Sequence, residues 1–315
     1  MPTVREKRPI ALAVVTRDRA PILRRCVLPG LERTAAAGFE VVVVDQSAGR
    51  GTAELVQGVS GLRYLRSEPG LSHGRNVAVA ATTTPLLAFT DDDVVLPEGW
   101  LGRIAGLFDR YAEAGVVCGR ALTPKGALMP GAHAGVYRWP LHPFGLASGF
   151  NMAFRREALD AAGAFDEELG AGAPYLSAED SDMLYRVARA GWSIVCSNAI
   201  TVVHDDWRSR RDDVKLQYGY GYGAGAQMAK HVVSGDGTAG RIALGEAGRH
   251  VATLARAGLT FRLHLARLQA AFLFGLAQGF ARRRGELRRR EGRETLRPLP
   301  EGAAGATEPD AGARP

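Results

Sequence analysis

Three consecutive carboxylates, Asp91-Asp92-Asp93, stand at the end of an apolar run, Leu86-Leu87-Ala88-Phe89. An unbroken apolar run of that length suits a strand covered on both faces in a parallel sheet, and such strands present their chemistry at the carboxyl end. Alternation along an extended chain predicts that Asp91 and Asp93 point one way and Asp92 the other. Negative charge packed this closely needs compensation, and a divalent cation is the usual source. A solvated acidic turn leading into Leu96-Pro97-Glu98-Gly99 would read the same in isolation. A second set of acids, Glu179, Asp180 and Asp182, opens a helical pattern, where carboxylates also favour the positive end of the helix dipole. A third group, His204 followed by Asp205, Asp206 and Trp207, closes a β-rich run. A lone histidine at a strand end is more often a hydrogen-bonded polar residue than a metal ligand.

The elements that must position these residues alternate along the first part of the chain. Ile10–Val15 reads as a strand, and residues 20–37 carry apolar positions at helical spacing, with Pro21 near the start and Gly38 past the end. Val41–Val44 is a β-branched strand ending at Asp45-Gln46-Ser47. A short helix near 52–58, a strand at Arg63–Arg66 and a loop to Ser72 follow, with Ser72 placed to cap a helix running to about Ala81. Beyond the acids lie a helix at about 99–113 and a strand at Val116–Arg120. Strands separated by helices imply βαβ units, a mostly parallel sheet and right-handed crossovers. Thr16, Asp45 and Asp91/Asp93 then converge as polar strand ends, which makes a nucleotide crevice. No G-x-G-x-x-G follows the first strand and no G-x-x-x-x-G-K-[ST] is present, so a metal rather than a glycine-rich cradle is expected to neutralise phosphates.

Residues 123–146, rich in Pro, Gly, His and aromatics, read as a long irregular segment. Ala147–Phe154 reads as a strand, Arg155–Asp160 as the start of a helix, Gly163–Ser177 as a surface loop near the site and 179–190 as a helix ended by Gly191. Ile194–Val203 is a further strand. Tyr218–Gly225 alternates Tyr and Gly and is either an aromatic recognition stretch or a tightly packed helix. His231–Gly240 reads as a linker, and 246–285 as helical, with Phe261, Leu265, Leu268, Phe272 and Leu276 at spacings of three and four.

Composition places the whole among ordinary globular proteins, with 46% hydrophobic and 23% charged residues. The net charge of +7 is local, because residues 282–297 hold eight Arg and three Glu. The near-neutral remainder argues against a nucleic-acid partner. Cys26, Cys118 and Cys196, odd in number and without a C-x-x-C pair, read as reduced buried thiols of a cytoplasmic protein. Ile10–Val15 is too short for the apolar core of a signal peptide. Leu268–Ala281 is uncharged but too short to span a bilayer. With arginines on both sides it fits an amphipathic helix making peripheral membrane contact through 260–290, a helix docked on the core, or a homodimer seam. The chain divides by pattern into a flexible start at 1–8, a body at 9–231, a basic helical extension at 241–297 and a disordered tail at 298–315.

Several ordered motifs resemble the inverting glycosyltransferase family 2. They are Val14–Arg19, Val42–Ser47, Gly70-Leu71-Ser72-His73-Gly74-Arg75-Asn76, the D-x-D of Asp91–Asp93, Gly149–Arg155, Gly163–Glu167 and the Glu179-Asp180 pair. The likeness runs from about Ile10 to Lys230, and the motifs taken together in order carry more weight than any one. It implies an α/β GT-A fold, Rossmann-like, with a mostly parallel sheet flanked by helices, divided into a nucleotide-binding half at 9–120 and an acceptor half at 121–231. The C-terminal helices would extend it. The resemblance further implies a nucleoside-diphosphate sugar donor (UDP-, GDP- or dTDP-linked) and a hydroxyl acceptor, either a lipid-linked saccharide at the inner membrane face or a small molecule. Thr16, Arg17, Asp45, Arg75, Asn76, Asp91 and Asp92 would serve the nucleotide sugar. Asp91, Asp93 and His204 would hold Mn2+ or Mg2+. Gly149, Asn151 and Trp207 would line the acceptor side, and Asp180 would be the general base, with Glu179 orienting it. Arg17 replaces an aromatic common at its position, and Gly74 replaces an alanine. A sugar nucleotidyltransferase is the enzymatic alternative, although Thr16–Arg19 lacks the glycine-rich loop such an enzyme would carry. A non-catalytic nucleotide-sugar-binding scaffold is the other, against which Asp93 and Asp180 stand.

Overall fold

The computed structural model describes residues 9–129, 131, 133–205 and 213–295. The first half runs β1 (Ile10–Thr16), α1 (Ala20–Arg25), α2 (Leu28–Ala36), β2 (Glu40–Asp45), α3 (Gly51–Val56), β3 (Leu62–Arg66), α4 (Leu71–Ala81) and β4 (Leu86–Asp91). It continues with β5 (Val94–Val95), α5 (Trp100–Arg110), β6 (Ala114–Leu122), β7 (Gly135–Tyr137), β8 (Met152–Arg155) and α6 (Arg156–Ala162). Then come α7 (Glu179–Arg189), β9 (Ser193–His204) and three long helices, α8 (Asp213–Val233), α9 (Gly237–Leu259) and α10 (Leu263–Thr295).

The sheet has the order β3-β2-β1-β4-β8-β6-β9-β5, with β7 paired on β9. Strands β3, β2, β1 and β4 are parallel, as are β6 and β9. Strand β8 runs antiparallel between β4 and β6, and β5 and β7 are antiparallel to β9. The apolar runs are continuous because both faces of the sheet are covered. Leu12, Val14, Val43 and Ala88 face α1, α2 and α5, whereas Ala13, Val42, Leu87 and Phe89 face α4, α6 and α7. Each buried Val, Leu or Phe contributes roughly 1.5–3 kcal/mol relative to exposure. In register, Thr16 lies beside Asp45 and Val15 beside Asp91, so β1, β2 and β4 end at one level.

Local departures from the sequence pattern have local causes. The helix expected over 20–37 breaks after Arg25 and restarts at Leu28, where Pro29 sits in the first turn and lacks the N–H that a continuous helix would use. Gly70, at φ 131°, caps α4 instead of Ser72. Ser72 lies inside the helix and donates its hydroxyl to the Leu169 carbonyl at 2.7 Å. The strand expected from Ala147 begins at Met152, and the segment 123–146 contains β7. Gly163–Ser177 holds no helix or strand and keeps several exposed residues, as a surface loop should, but it is pinned by the buried Phe165, Leu169 and Tyr175.

The linker expected at His231–Gly240 contracts to three residues between α8 and α9. Asp236 caps α9 through the Thr238 N–H and accepts the Tyr185 hydroxyl at 2.7 Å. The extension is two helices, with Phe261 at φ 53° in the turn between them, and position 231 falls inside α8. Its Tyr-Gly repeat is helix packing. A Cβ at Gly221 or Gly225 would overlap the carbonyls of Phe272 or Leu276, and one at Gly275 or Gly279 those of Tyr218 or Tyr222. The uncharged stretch of α10 therefore docks on α8, with Phe272 and Leu276 buried. In turn α8 is fixed to α7, because Asp182 accepts from His231 at 2.9 Å and pairs with Lys230 at 2.8 Å. Among the described residues no helix is long and apolar enough to cross a membrane. The three cysteines are buried and unbridged. Residues 1–8 and the tail 298–315 lie outside the described residues.

Candidate active site

Strand β4 ends at Asp91, so Asp92 and Asp93 belong to the turn beyond it and alternation no longer governs them. Instead of opposing each other, Asp92 and Asp93 converge on Arg19, which lies 2.8 Å from one and 2.6 Å from the other. Thr16 donates its hydroxyl to Asp92 at 2.7 Å. Pairing of β5 with β9 sets His204 beside Val94 and brings its Nε2 to 3.4 Å from Asp93. Both turn acids are buried, but the Asp91 side chain keeps 33% exposure.

Asp91 faces a different cation. Arg75, on the second turn of α4 and 2% exposed, stands 4.0 Å from Asp91 and donates to Glu179 at 2.9 Å. A single guanidinium thus joins the acids at the end of β4 to those that begin α7. Gly149 lies against it, and a Cβ there would overlap the guanidinium. The Gly149 N–H donates to Asp180 at 3.0 Å, and the Ser181 N–H donates to the other Asp180 oxygen at 2.6 Å. Helix α7 can begin so abruptly because Ala178 adopts a left-handed backbone, φ 77°.

These acids titrate differently. Removal of water by the surrounding protein pushes Asp91 up to about 7, with Arg75 opposing the shift and Asp93, Asp92 and Glu179 adding to it. The same loss of water pushes Asp92 up to about 6, held back by the Thr16 hydroxyl and by Arg19. Asp180 is also raised to about 6, first by loss of water and then by the Glu179 charge, against Arg75 and the two backbone donors. One helical turn on, burial would raise Asp182, but Lys230, the His231 hydrogen bond and Arg186 hold it well below the usual carboxylate range. Charge on Asp182 is therefore secured, whereas Asp91 and Asp180 are left short of positive partners.

Other expected site residues fall elsewhere. Asp45 is fully buried, accepts from the Ser47 N–H at 2.9 Å and the Tyr64 hydroxyl at 2.7 Å, and has Arg66 at 3.5 Å. Arg75 reaches Glu179 and Asp91, not the Asp45 end of the crevice. Asn76 gives its amide to the Phe165 carbonyl and Glu167 and accepts from the Phe165 N–H, so it holds the 163–177 segment. Asn151 is fully buried and spends its side chain on Trp100, Arg120 and Ile200, so it braces strands and does not face an acceptor. Arg17 is exposed beside Asp18. Trp207 lies outside the described residues. The spacing of motifs missed two residues as site members. Arg19 compensates two acids, and the adjacency of β1 to β4 was the available signal. Gln46, bonded to Glu68 and Gly70, fixes the entry to α4. A cavity of about 340 Å3 lies between α4 and α6, lined by Asn76, Val79, Leu159, Phe165 and Met183, and none of Asp91, Arg75, Glu179 or Asp180 borders it.

Among the described residues no group of three or more His, Cys, Asp or Glu side chains could enclose a metal ion. Arg19 takes part of the role expected of a cation at Asp93. Asp91 remains, partly exposed and under-compensated. Hard dications that travel with phosphates keep waters and take only one or two protein carboxylates. The donor set fits such a cation, arriving with its anion, and not a closed protein cage.

Residues 12–162 match the sequence model of Glycosyl transferase family 2. The chain is 27% identical over 244 residues to the pre-mycofactocin glycosyltransferase of Mycobacterium tuberculosis, covering 71% of this chain and 48% of that one. It thus spans about half the length of this curated relative. Its fold is similar to that of the mannosyltransferase PcManGT from Pyrobaculum calidifontis in complex with GDP-Man and Mn2+, with TM-score 0.59, 18% identity and 87% of both chains covered. Residues 1–349 of S. aureus TarS in complex with UDP-GlcNAc give TM-score 0.51 at 17% identity, covering 90% and 92%. At these identities the structural likeness establishes a GT-A-like fold.

Proposed function

We propose that the chain, whose residues 12–162 match the model of Glycosyl transferase family 2, is a glycosyltransferase of that family and moves a sugar from a nucleoside diphosphate to a hydroxyl acceptor, inverting the anomeric centre. The observation that carries this reading is the Arg75 bridge, which lies 4.0 Å from Asp91 and 2.9 Å from Glu179 and so joins the end of β4 to the start of α7, where Asp180 follows. Asp180 is the proposed general base. Its oxygens are oriented by two backbone N–H groups, and its raised value of about 6 leaves it ionised yet basic at neutral pH. As the acceptor oxygen bonds to the anomeric carbon, its proton passes to Asp180 and the carbon–oxygen bond to the diphosphate breaks, with the electron pair leaving on the diphosphate. Glu179, fixed by Arg75, keeps the first turn of α7 in place and supplies part of the negative charge that raises Asp180.

On the donor side, the partly exposed Asp91 would contribute a ligand to Mn2+ or Mg2+, which when bound stabilises negative charge on the leaving diphosphate. Asp93, expected with His204 as a further ligand, is engaged by Arg19. Thr16 and Arg19 keep Asp92 and Asp93 in position without it. Asp45, anchored by Tyr64 and Ser47, fixes the end of β2 beside Thr16, where the nucleoside would lie. A UDP-, GDP- or dTDP-sugar is the proposed donor; the UDP-GlcNAc and GDP-Man bound by the structural neighbours support that class.

The test is a thermal-shift screen of these nucleotide sugars with and without Mn2+, followed by product detection with the donor that stabilises the protein. Asp180→Asn is expected to keep the donor-induced shift and to lose transfer by roughly 100-fold to 10,000-fold. Turnover at the wild-type rate would remove the base assignment, and the absence of a shift with every donor would remove the donor class.

A further inference from the structure

The turn between α9 and α10 carries a cluster of exposed large apolar side chains, including the two most exposed of this helical pair. Leu259 is 83% exposed, Phe261 85% and Leu263 66%, within seven consecutive exposed residues, 258–264. Leu244 and Val251 continue an exposed apolar edge along α9 at a spacing of seven. Water is a poor environment for such a cluster, and contiguous exposed apolar surface marks an interaction site. The charge around it is of one sign. Between residues 247 and 285 the chain holds seven arginines and neither Asp nor Glu. Arg256, Arg262 and Arg267, all exposed, flank the tip. Asp213 at the start of α8 is the acid that reaches it, 3.5 Å from His264, while Glu246 at the other end of α9 is buried among His142, Arg249 and His250.

We propose that this helical hairpin docks the protein on an anionic lipid bilayer, with Leu259, Phe261 and Leu263 in the interfacial layer and Arg256, Arg262 and Arg267 on the headgroups. Apolar residues at a tip flanked by three exposed arginines, with Asp213 set against His264, match the two requirements of reversible interfacial binding, namely buried apolar area and attraction to acidic lipid. The uncharged stretch 268–281 offers less, since Phe272 and Leu276 are buried against α8 and only Phe274 of its large apolar side chains is well exposed, at 59%. The docking stands apart from the proposed transfer reaction, since no group of the cleft takes part in it.

Flotation of the full chain with phosphatidylcholine vesicles, with and without phosphatidylglycerol, tests it. The wild type is expected to float with the anionic vesicles, to stay behind with neutral ones and to be released by salt. L259S/F261S and R256Q/R262Q are each expected to weaken binding by roughly tenfold or more, with unchanged thermal unfolding because these side chains touch little of the fold. Failure of the wild type to bind anionic vesicles overturns the proposal. So does equal binding by L259S/F261S, because the arginines of 282–290 would then suffice. A wild-type dimer that L259S/F261S splits would also overturn it, since a second copy would be what covers the tip.

Discussion

Arg75→Met removes one charge from the junction of the two acid sets while nearly keeping the side-chain volume. Arg75 and Glu179 are both buried and 2.9 Å apart, and truncating one partner of a buried pair costs about 3–5 kcal/mol. An independent ceiling follows from the alternative open to the stranded carboxylate, which is to take up a proton. For an ordinary glutamate, titrating near 4.3, neutralisation costs about 4 kcal/mol at pH 7 and about 1 kcal/mol at pH 5. The variant should therefore lose about 3–4 kcal/mol at pH 7 and about 1 kcal/mol at pH 5, measured by urea unfolding with unchanged slope. Arg75 also favours the charged form of Asp180, so its loss raises that group further. The acidic limb of the transfer rate, expected near pH 6 in the wild type, should move upward by about one pH unit, equivalent to about 1.4 kcal/mol of lost attraction. A loss below about 1 kcal/mol at pH 7, or one that does not vary with pH, would refute the view of Arg75 as a shared counter-ion. An unmoved rate limb would separate it from Asp180.

Gly149→Ala places a methyl group against the Arg75 guanidinium and displaces the N–H that Asp180 accepts; it should cost about 1–3 kcal/mol in unfolding free energy and lower the transfer rate more than donor affinity. Asp182→Asn strips the common partner of Lys230, His231 and Arg186 and should destabilise by up to about 3–5 kcal/mol at pH 7. Because Asp182 is held below its unfolded value, its contribution is present above about pH 4 and fades as acid protonates it in the folded state. Urea titrations should show the wild type and D182N drawing together below that pH, and a constant gap would contradict the assignment.

What the sequence made legible follows from what a parallel sheet requires. Apolar runs covered on both faces announce β1, β2 and β4, and their shared level makes Thr16, Asp45 and Asp91 neighbours. The acids of α7 were legible as a helix start. Which polar groups face the cleft was less so, because residue type does not reveal backbone need. Asn76 and Asn151 look like ligands, yet the carbonyls of Phe165, Arg120 and Ile200 consume their amides. Asp92 and Asp93 lie one and two residues beyond the strand, where a turn and not the pleat sets direction. Gly237 and Gly240, which read as a linker, are helical, since Asp236 caps α9 and long-range packing outweighs the cost of glycine in a helix.

Consecutive acids at one strand end need not share a role, and the guanidinium positions explain the division. Arg19 reaches Asp92 and Asp93 from the loop after β1, so that pair is compensated from within the first βα unit. Arg75 reaches Asp91 only at 4.0 Å and spends its hydrogen bond on Glu179, so Asp91 and Asp180 share one cation with a third acid. Uncompensated negative charge therefore gathers along the line from Asp91 to Asp180 and not at the buried Asp92–Asp93 pair. Loss of water first, and then the charge of neighbouring acids, raises the proton affinity of both ends, to about 7 at Asp91 and about 6 at Asp180. At the partly exposed end the uncompensated charge would favour a cation that arrives with a diphosphate. At the other, where two backbone N–H groups fix the carboxylate, it would favour taking a proton from a hydroxyl. These are the two demands of the proposed transfer reaction.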